Sequence, residues 1–371
     1  MSSSFGRTLR VTVFGQSHSP AIGCVVEGLP SGFAPDLGRL QRFMERRAPG
    51  QGPWATTRKE PDVPEFVSGL NPRGETCGAP LCALIRNTNT RSQDYAALVR
   101  VPRPSHADWP AEARWHGSQD VAGGGHFSGR LTAPLCVAGG IALQMLEDRG
   151  VSVAAHLAQV GAAVDEPFAA LGSPAEQTAT LASQIDALAG RSFPAISPEA
   201  AAAMQAVIED ARKGQDSVGG RVECVATGMP VGVGSPMFDG VENLLARALF
   251  GIPAVKALEF GRGSQVAGLC GSQHNDPWVP GPDGAPVPAK NDAGGLVGGL
   301  TTGAPILFSV AVKPTASIGL PQESVDLATG EAVELRVKGR HDPCIAPRAV
   351  PVVEAVTALV LLDALLTYAP Q

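Results

Sequence analysis

The first residues that could do chemistry follow an apolar stretch near the N-terminus. Gly15, Ser17 and His18 stand together there in the segment Gly-Gln-Ser-His. A strand that ends in glycine lets the backbone and short side chains approach a ligand closely. A histidine at such a point can act as an acid near neutral pH. A structural or surface histidine is the competing interpretation for His18 taken alone.

A second segment, Arg-Pro-Ser-His-Ala-Asp, runs from Arg103 to Asp108. Turn chemistry explains Pro104 and Asp108. It does not require Arg103 or His106, which stand three residues apart. Those two side chains are therefore candidate functional residues.

Three consecutive glycines, Gly123–Gly125, open a third segment that continues through Ser128 and Arg130 to Thr132. Free backbone N–H groups and the helix dipole make such a helix start a good cradle for an anion. A flexible loop is the alternative interpretation.

Two segments near the C-terminus also carry polar groups. Lys313–Ser317 leaves a buried strand with one cation and two hydroxyls, and Gly339–Cys344 holds arginine, histidine and aspartate in a row. The second could supply acid–base chemistry or form a solvated turn. Arg46 and Arg47 end the first predicted helix, where the negative end of the dipole alone explains them.

Composition narrows the class of protein. The chain has 371 residues, a formal charge of −6 and 17% charged residues, and it contains 23 Arg but only 6 Lys. Arginine binds phosphate and carboxylate bidentately, so the excess suits an anionic substrate, although a GC-rich genome also explains it. The acidic balance argues against a general nucleic-acid binder. The sparse charge favours an oligomer.

The fraction of hydrophobic residues, 44%, excludes a collagen-like or disordered chain. Seven cysteines without a C-x-x-C pair and a start unlike a signal peptide predict reduced thiols in the cytoplasm. The uncharged run Ala355–Leu362 is too short to span a membrane and predicts a buried helix. Phosphate-loop, dinucleotide-binding, nucleophile-elbow and metal-ligand spacings are absent from the sequence, so no metal site is predicted.

These segments must be positioned by strands and helices. Alternating or β-rich runs predict seven strands, at Leu9–Phe14, Ile22–Glu27, Ala79–Arg86, Ser152–Ala163, Arg221–Thr227, Pro305–Lys313 and Val333–Lys338. Five helices are predicted: one capped by Asp36 and ending near Arg47, one from Thr132 to Arg149, one opened by Ser197 and ended by Gly214, one opened by a capping box of Asp239 and Glu242, and one from Val352 to Thr367.

The order of these elements lacks a regular strand–helix rhythm, which favours a mixed α+β fold over a doubly wound parallel sheet. Gly172–Pro194 and the proline-rich Ser272–Gly295 are predicted to be loops. Neither is typical of a domain linker, so we expect a single domain over residues 1–371.

The same segments carry a family resemblance. The sequence resembles chorismate synthase from Phe5 to about Leu366, because nine motifs occur in the family's order. They are the Gly-x-Ser-His start, Arg46–Gly50, Arg91–Tyr95, Arg103–Asp108, the glycine-rich helix opening, Ile252–Lys256, Ala293–Gly295, Lys313–Ser317 and Lys338–Cys344. Each is weak evidence alone, whereas nine in order are specific.

The resemblance implies a single α+β domain with helices sandwiched between antiparallel β-sheets, assembled as a homotetramer. It implies conversion of 5-enolpyruvylshikimate 3-phosphate to chorismate and phosphate. This reaction of the shikimate pathway is a 1,4-elimination that requires reduced FMN without net redox change. An external flavin reductase is expected, with NADPH as the indirect reductant, and no nucleic-acid or membrane partner.

The resemblance also implies roles for individual residues. His18 would protonate the leaving phosphate, His106 would stabilise or protonate the reduced flavin anion, and Asp342 would act near flavin N5, where the substrate C6 proton is taken up. The substrate's anionic groups would be held by Ser17, Arg47, Arg103, Arg130 and Arg340. The FMN site would be lined by His126, Phe127, Ser128, Pro253, Ala254, Gly298, Lys313, Pro314, Thr315, Ala316 and Ser317, with Arg340 shared between substrate and flavin.

Three departures from the family pattern bear on anion binding. Pro53 replaces an arginine, His126-Phe127 replaces an Arg-Ser pair, and Leu131 replaces a glutamate. The last is expected to leave Arg130 without a neighbouring carboxylate. Two alternative hypotheses are a catalytically inactive flavin- or anion-binding protein of the same fold and an unrelated metal-dependent hydrolase.

Overall fold

Two five-stranded antiparallel sheets form the frame of the molecule. The computed structural model describes residues 3–50, 52, 54, 60–88, 98–337 and 342–368; the side chains of residues 174–178 are outside that description. The first sheet has the order β1-β2-β3-β5-β4, with β1 Ser4–Phe5, β2 Arg10–Gly15, β3 Ala21–Glu27, β4 Glu65–Ser68 and β5 Leu81–Arg86. The second has the order β7-β6-β8-β14-β9, with β6 Ser152–Val160, β7 Ala163–Val164, β8 Gly220–Thr227, β9 Val255–Phe260 and β14 Ile306–Val312.

The described residues also contain three two-stranded ribbons and eight α-helices. The ribbons pair β10 Trp278–Pro280 with β11 Pro286–Pro288, β12 Leu296–Val297 with β13 Leu300–Thr301, and β15 Gln322–Val325 with β16 Ala332–Leu335. The helices are α1 Leu37–Arg47, α2 Asp108–Trp115, α3 Thr132–Glu147, α4 Pro174–Leu188, α5 Pro198–Lys213, α6 Val241–Leu249, α7 Gly271–His274 and α8 Ala346–Tyr368.

Helices α3 and α8 form the layer between the two sheets. Helix α3 packs on β3 and β5 of the first sheet, and α8 packs on β6 and β8 of the second. A Cβ at Gly139 would lie 2.4 Å from the Cβ of Ala355, so glycine is required where these helices cross. One hydrophobic core is shared by both sheets and both helices. This architecture confirms the predicted α+β fold with helices between antiparallel sheets. The single domain over residues 1–371 stays a prediction.

Helix α8, and α3 together with the helical turn before it from Gly129, are long and apolar enough to cross a membrane. More than four-fifths of the apolar window of each is, however, buried inside the protein. The prediction of a buried C-terminal helix is thereby confirmed. That helix begins at Ala346, six residues before the predicted start. Pro351 lies inside it, and a proline interior to a helix pattern normally marks a boundary.

The segment Gly172–Pro194 is not a loop, because it contains α4. Leu181, Ile185 and Leu188 of this helix pack against Phe168 and Val225 in a separate small core. The three leucine and isoleucine positions follow the helical spacing of four and three residues. The alanine-rich sequence around these three residues makes their helical spacing hard to recognise.

Two other local predictions are wrong. Ser272–Gly295 is structured, since it holds the end of α7 and the ribbon of β10 and β11, whose isolated edge tolerates proline. The capping box of Asp239 and Glu242 does not form: α6 starts after Gly240 without a side-chain cap. Asp239 instead accepts a hydrogen bond from Arg7 at 2.6 Å.

Candidate active site

The three glycines before α3 form the floor of a cleft next to the end of β2. Their φ angles are 63°, 85° and 52°, which side chains rarely adopt. A Cβ at Gly123 would lie 2.6 Å from Ser17 Oγ and 2.7 Å from His18 Nε2. A Cβ at Gly124 would lie 3.4 Å from His106 Nε2. The triplet therefore leaves room between two histidines that are 88 positions apart in the sequence.

Serine hydroxyls tie this glycine triplet to the loop that carries His18. The backbone N–H of Ser17 donates to the carbonyl of Gly125 at 3.1 Å. Ser128 Oγ donates to Ser17 Oγ at 3.3 Å. Ser17 is buried, so the first and third sequence segments meet as one site.

Asp108 organises the segment Arg103–Asp108. Its carboxylate accepts from Arg103 Nε at 2.7 Å and Nη2 at 2.8 Å, and lies 2.6 Å from His106 Nδ1. His106 Nδ1 also lies 3.1 Å from Arg103 Nη2, but its shorter contact is with the carboxylate, which can only accept, and this contact favours a proton on Nδ1. Nε2 of His106 faces Gly124. Burial alone would raise the pKa of Asp108, but hydrogen bonds from Arg103 and His106 outweigh it and hold that pKa well below its ordinary value.

Arg47 and Arg130 meet on one buried carboxylate, that of Asp62. Arg47 Nη1 donates to Asp62 Oδ2 at 2.6 Å, and Arg130 Nη1 is hydrogen bonded to Asp62 Oδ1. Arg130 Nη1 also lies 3.1 Å from Glu60 Oε2. The expectation that Leu131 leaves Arg130 without a carboxylate is therefore wrong, because the segment before β4 supplies two.

The electrostatics of this cluster follow from burial. Burial lowers the pKa of Arg47 to about 10, helped by the positive charges of Arg348 and Arg130, while Asp62 opposes the shift. Burial would raise the pKa of Asp62, but the two arginines outweigh it and lower that pKa. The carboxylate thus stays ionised between them.

Asp342 lies at the entry to α8, next to the same cluster. Its carboxylate accepts from Arg348 Nη1, and its backbone carbonyl accepts from Thr315 Oγ1 at 3.0 Å. Arg348 Nε donates to the carbonyl of Arg47 at 3.0 Å. Asp342 is thereby linked both to the arginine cluster and to the segment Lys313–Ser317.

That segment lies against the Arg103 turn. Lys313 Nζ donates to the carbonyl of Ser105 at 2.8 Å, and Arg103 Nη1 donates to Ser317 Oγ at 3.1 Å. The backbone N–H of Lys313 donates to the carbonyl of Ala254 at 2.9 Å, which brings Pro253 and Ala254 to the same edge. Burial and the charge of Lys256 lower the pKa of Lys313.

His126 and Phe127 continue the glycine triplet at its far end. Both ring nitrogens of His126 are occupied, with Nδ1 3.1 Å from the carbonyl of Gly15 and Nε2 2.9 Å from Ser3 Oγ. Phe127 is partly exposed and contacts the ring of Trp115, with centroids 5.9 Å apart. His126 thus anchors the N-terminal strand to the site.

Not every predicted site residue is brought together. Gly298 lies in the turn between β12 and β13, whose next residue, Gly299, packs against Ser235 and Gly240. Pro314 and Ala316 lie within the Lys313–Ser317 segment without adding a polar side chain. Arg340 lies outside the described residues, as do His341, Pro53 and Arg91–Tyr95.

Sequence reasoning missed four residues of this site: Asn87, Glu60, Asp62 and Arg348. Two acidic residues flanking Pro61 soon after Arg46-Arg47 were an available signal for an ion-pair cluster. Arg348 was masked by the late predicted start of α8. Asn87 had no signal, because it is joined to Arg130 only by the fold, with Nε donating to Oδ1 at 3.1 Å.

Comparison with known proteins decides the family. The family model described as chorismate synthase matches residues 9–366. The chain belongs to the chorismate synthase family. The relative from Lancefieldella parvula, named chorismate synthase, is 49% identical over 371 residues, covering 99% of this chain and 97% of the relative. That from Korarchaeum cryptofilum, with the same name, is 44% identical over 359 residues, covering 97% and 96%.

A crystal structure of chorismate synthase aligns with a TM-score of 0.73 at 24% identity, covering 98% of this chain and 93% of that chain. At this identity the likeness concerns the fold. The family membership confirms that the chain is a lyase that removes phosphate from a small-molecule substrate in aromatic amino-acid biosynthesis. The comparisons favour no inactive protein of the same fold.

Proposed function

We propose that the chain converts 5-enolpyruvylshikimate 3-phosphate to chorismate and phosphate at the cleft above Gly123–Gly125. The observation that carries the proposal is the approach of His18 and His106 to the same glycine triplet from two distant segments. In a 1,4-elimination a proton leaves one end of the reacting system while the phosphate departs from the other. Groups that move protons must therefore stand on both sides of the bound substrate.

His18 is the group proposed to meet the leaving phosphate. Ser17 precedes it and shares the space beside Gly123. Negative charge develops on the leaving oxygen, and donors fixed in advance stabilise that charge without reorganising. Proton donation by a positioned histidine contributes about 10²–10⁴-fold to the rate.

His106 and Asp342 are the proposed groups on the flavin side. The bond from Nδ1 of His106 to Asp108 fixes the ring so that only Nε2 can exchange a proton with the cleft. Asp342 is held by Arg348 and lies one hydrogen bond from the Lys313–Ser317 segment. These contacts orient both groups before the substrate arrives.

The donor set fits reduced FMN, which carries a phosphate. Lys313 and Lys256 provide two positive charges, and Gly123 and Gly124 leave space that any side chain would fill. The proposed holders near the cleft are His126–Ser128, Pro253, Ala254 and Lys313–Ser317. Gly298 and Arg340 are proposed with them on the family resemblance alone. Reduced FMN, when bound, supplies electron density that loosens the carbon–oxygen bond to phosphate.

The substrate's phosphate and carboxylates are proposed to bind Ser17, Arg47, Arg103, Arg130 and Arg340. Arg103 is already oriented by Asp108 and Ser317, so little conformational entropy is lost on binding. We also propose a single domain, a homotetramer and a cytoplasmic location, with no nucleic-acid or membrane partner.

An anaerobic assay tests the proposal. The purified chain is mixed with 5-enolpyruvylshikimate 3-phosphate and dithionite-reduced FMN, and chorismate absorbance and phosphate release are followed together. Equal amounts of both products are expected with reduced FMN and none with oxidised FMN. Product formed without flavin, or phosphate released without chorismate, would contradict the proposal.

The source of electrons is tested with the same assay. We propose that the chain depends on an external flavin reductase, with NADPH acting only indirectly. Oxidised FMN with NADPH should then give no chorismate until a reductase is added. Turnover with NADPH alone would refute this dependence.

A further inference from the structure

Asp62 occupies an unusual place in the arginine cluster. It is 1% exposed, and its carboxylate contacts both Arg47 and Arg130. Its φ angle is 49°, a left-handed conformation that costs energy in a residue other than glycine. Strain of this kind persists only where the surrounding structure imposes it. Here the strained backbone directs one carboxylate at two guanidinium groups.

Arg47 and Arg130 differ in which of their side-chain nitrogens have hydrogen-bond partners. Arg47 uses all three nitrogens, since Nε donates to Thr132 Oγ1 at 3.1 Å, Nη2 donates to the carbonyl of Gly129 at 3.0 Å, and Nη1 donates to Asp62. Arg130 uses Nε and Nη1 only. Its Nη2 is buried and has no hydrogen-bond partner among the described residues. An unpaired buried donor on a charged group is costly unless a ligand pairs with it.

Arg130 lies beside the cleft. Nε of Arg130 is bonded to Asn87 Oδ1, and Asn87 Nδ2 donates to the carbonyl of Ser19 at 2.7 Å. The backbone N–H of Arg130 donates to Ser128 Oγ at 3.3 Å. Arg130 is thus attached to the loop of His18 on one side and to the glycine-rich helix start on the other.

We infer that Asp62 is a positioning residue that, with Arg47 as its support, aims Nη2 of Arg130 at an anionic group of the substrate. This inference rests on the proposed function. Asp62 also offsets the repulsion between two guanidinium groups that would otherwise meet in a buried site.

A double-mutant cycle tests the inference. The dissociation constant for 5-enolpyruvylshikimate 3-phosphate is measured with oxidised FMN present, where no turnover is expected, in wild type, Asp62→Asn, Arg130→Gln and the double variant. Asp62→Asn and Arg130→Gln should each weaken binding at least about tenfold, the scale of one hydrogen bond to a charged group. Adding Asp62→Asn to Arg130→Gln should weaken it by less than about twofold.

Asp292→Asn is the matched control, because Asp292 is also a buried carboxylate shared by two cations, Arg262 and Lys290, away from the cleft. Both aspartate variants should lower the melting temperature, but only Asp62→Asn should change the dissociation constant. If Asp62→Asn does not fold, Asp62→Glu, which keeps the charge and lengthens the side chain, replaces it in the cycle.

Two results would overturn the inference alone. One is wild-type affinity in the Asp62 variant. The other is a loss that is equally large in the Arg130→Gln background, since Asp62 would then act independently of Arg130. A wild-type chain that makes no chorismate with reduced FMN would instead overturn the proposed function and this inference with it.

Discussion

His106 in the cleft and His156 in the second sheet are each held by carboxylates. His106 bonds one carboxylate, Asp108, through Nδ1 at 2.6 Å, and its side chain is 19% exposed. His156 is fully buried between two, with Nδ1 3.1 Å from Asp165 and Nε2 3.0 Å from Glu223. Its ring also meets the edge of Phe168.

The difference teaches what makes a histidine available for chemistry. His106 has one nitrogen held by a carboxylate, whereas the other, Nε2, faces the cleft at Gly124. Both nitrogens of His156 donate to carboxylates, which requires the charged form. Burial would lower the pKa of His156, but hydrogen bonds to Asp165 and Glu223 outweigh it and raise that pKa. His156 therefore stabilises the fold, whereas His106 is the histidine that we propose for the reaction.

The largest expected effect comes from His106→Ala. Turnover should fall at least about 10²-fold, the usual scale for a removed acid–base group. The fold should survive, because Asp108 keeps its ion pair with Arg103. Steady-state chorismate formation and thermal melting of the same preparation check both statements. Wild-type turnover in this variant would contradict the proposed catalytic role of His106.

His156→Gln should act in the opposite way. Removing one partner of a buried ion pair costs about 3–5 kcal/mol, because Asp165 and Glu223 would lose the cation between them. Urea unfolding should show this loss in the free energy of unfolding. Turnover at a temperature where the variant is folded should remain within about twofold of wild type. A folded His156→Gln protein without activity would contradict the assignment.

The glycine triplet allows a steric test of the space beside His18. Gly123→Ala would place a Cβ against Ser17 Oγ and His18 Nε2 and should reduce turnover by about tenfold, since small displacements of positioned groups are costly. Gly74→Ala is the matched control, because Gly74 has a similar φ of 79° with nothing within 4 Å of its Cβ position. Both variants should lose about 1 kcal/mol of stability from backbone strain. Equal turnover in the two would show that the space beside His18 is unimportant.

The smallest expected effect is a pH dependence of stability. The folded-state pKa of His156 is raised, so the folded protein holds a proton that the unfolded chain loses near pH 6.5. The stabilisation that protonated His156 gives the fold is fully present below about pH 6.5. It is lost as the pH rises through the raised pKa of His156. Asp165 has a lowered pKa and stays charged throughout.

Urea unfolding of wild type and His156→Gln from pH 6 to pH 9 measures this contribution. The difference between their free energies of unfolding should shrink as the pH rises. A difference that grows, or that does not change over the whole range, would mean that His156 is not a buried cation.

Most of the residues proposed for catalysis could be predicted from the sequence. The motifs around His18, His106 and Gly123–Gly125 each carry local signals, and the family resemblance predicts that they share one site. Helix α3 is also predicted from the sequence. The caps at Asp36 and Ser197 are predicted as well, because local hydrogen bonding determines them.

The supporting residues could not be predicted in the same way. Asp62 meets Arg130 across 68 positions, and His156 meets Glu223 across 67. Such pairs leave no local pattern, since the tertiary fold alone brings them together. Helix α4 was missed because alanine-rich sequence dilutes its apolar stripe, and Arg348 because Pro351 indicated a later start of α8.

The most direct test of the account is single-turnover chorismate formation by wild type, His106→Ala and His156→Gln under identical anaerobic conditions with reduced FMN. The temperature is set well below the lowest melting temperature of the three. The account predicts comparable rates for wild type and His156→Gln and a rate at least about 10²-fold lower for His106→Ala. A wild-type rate in His106→Ala, or lost turnover in a folded His156→Gln, would contradict it.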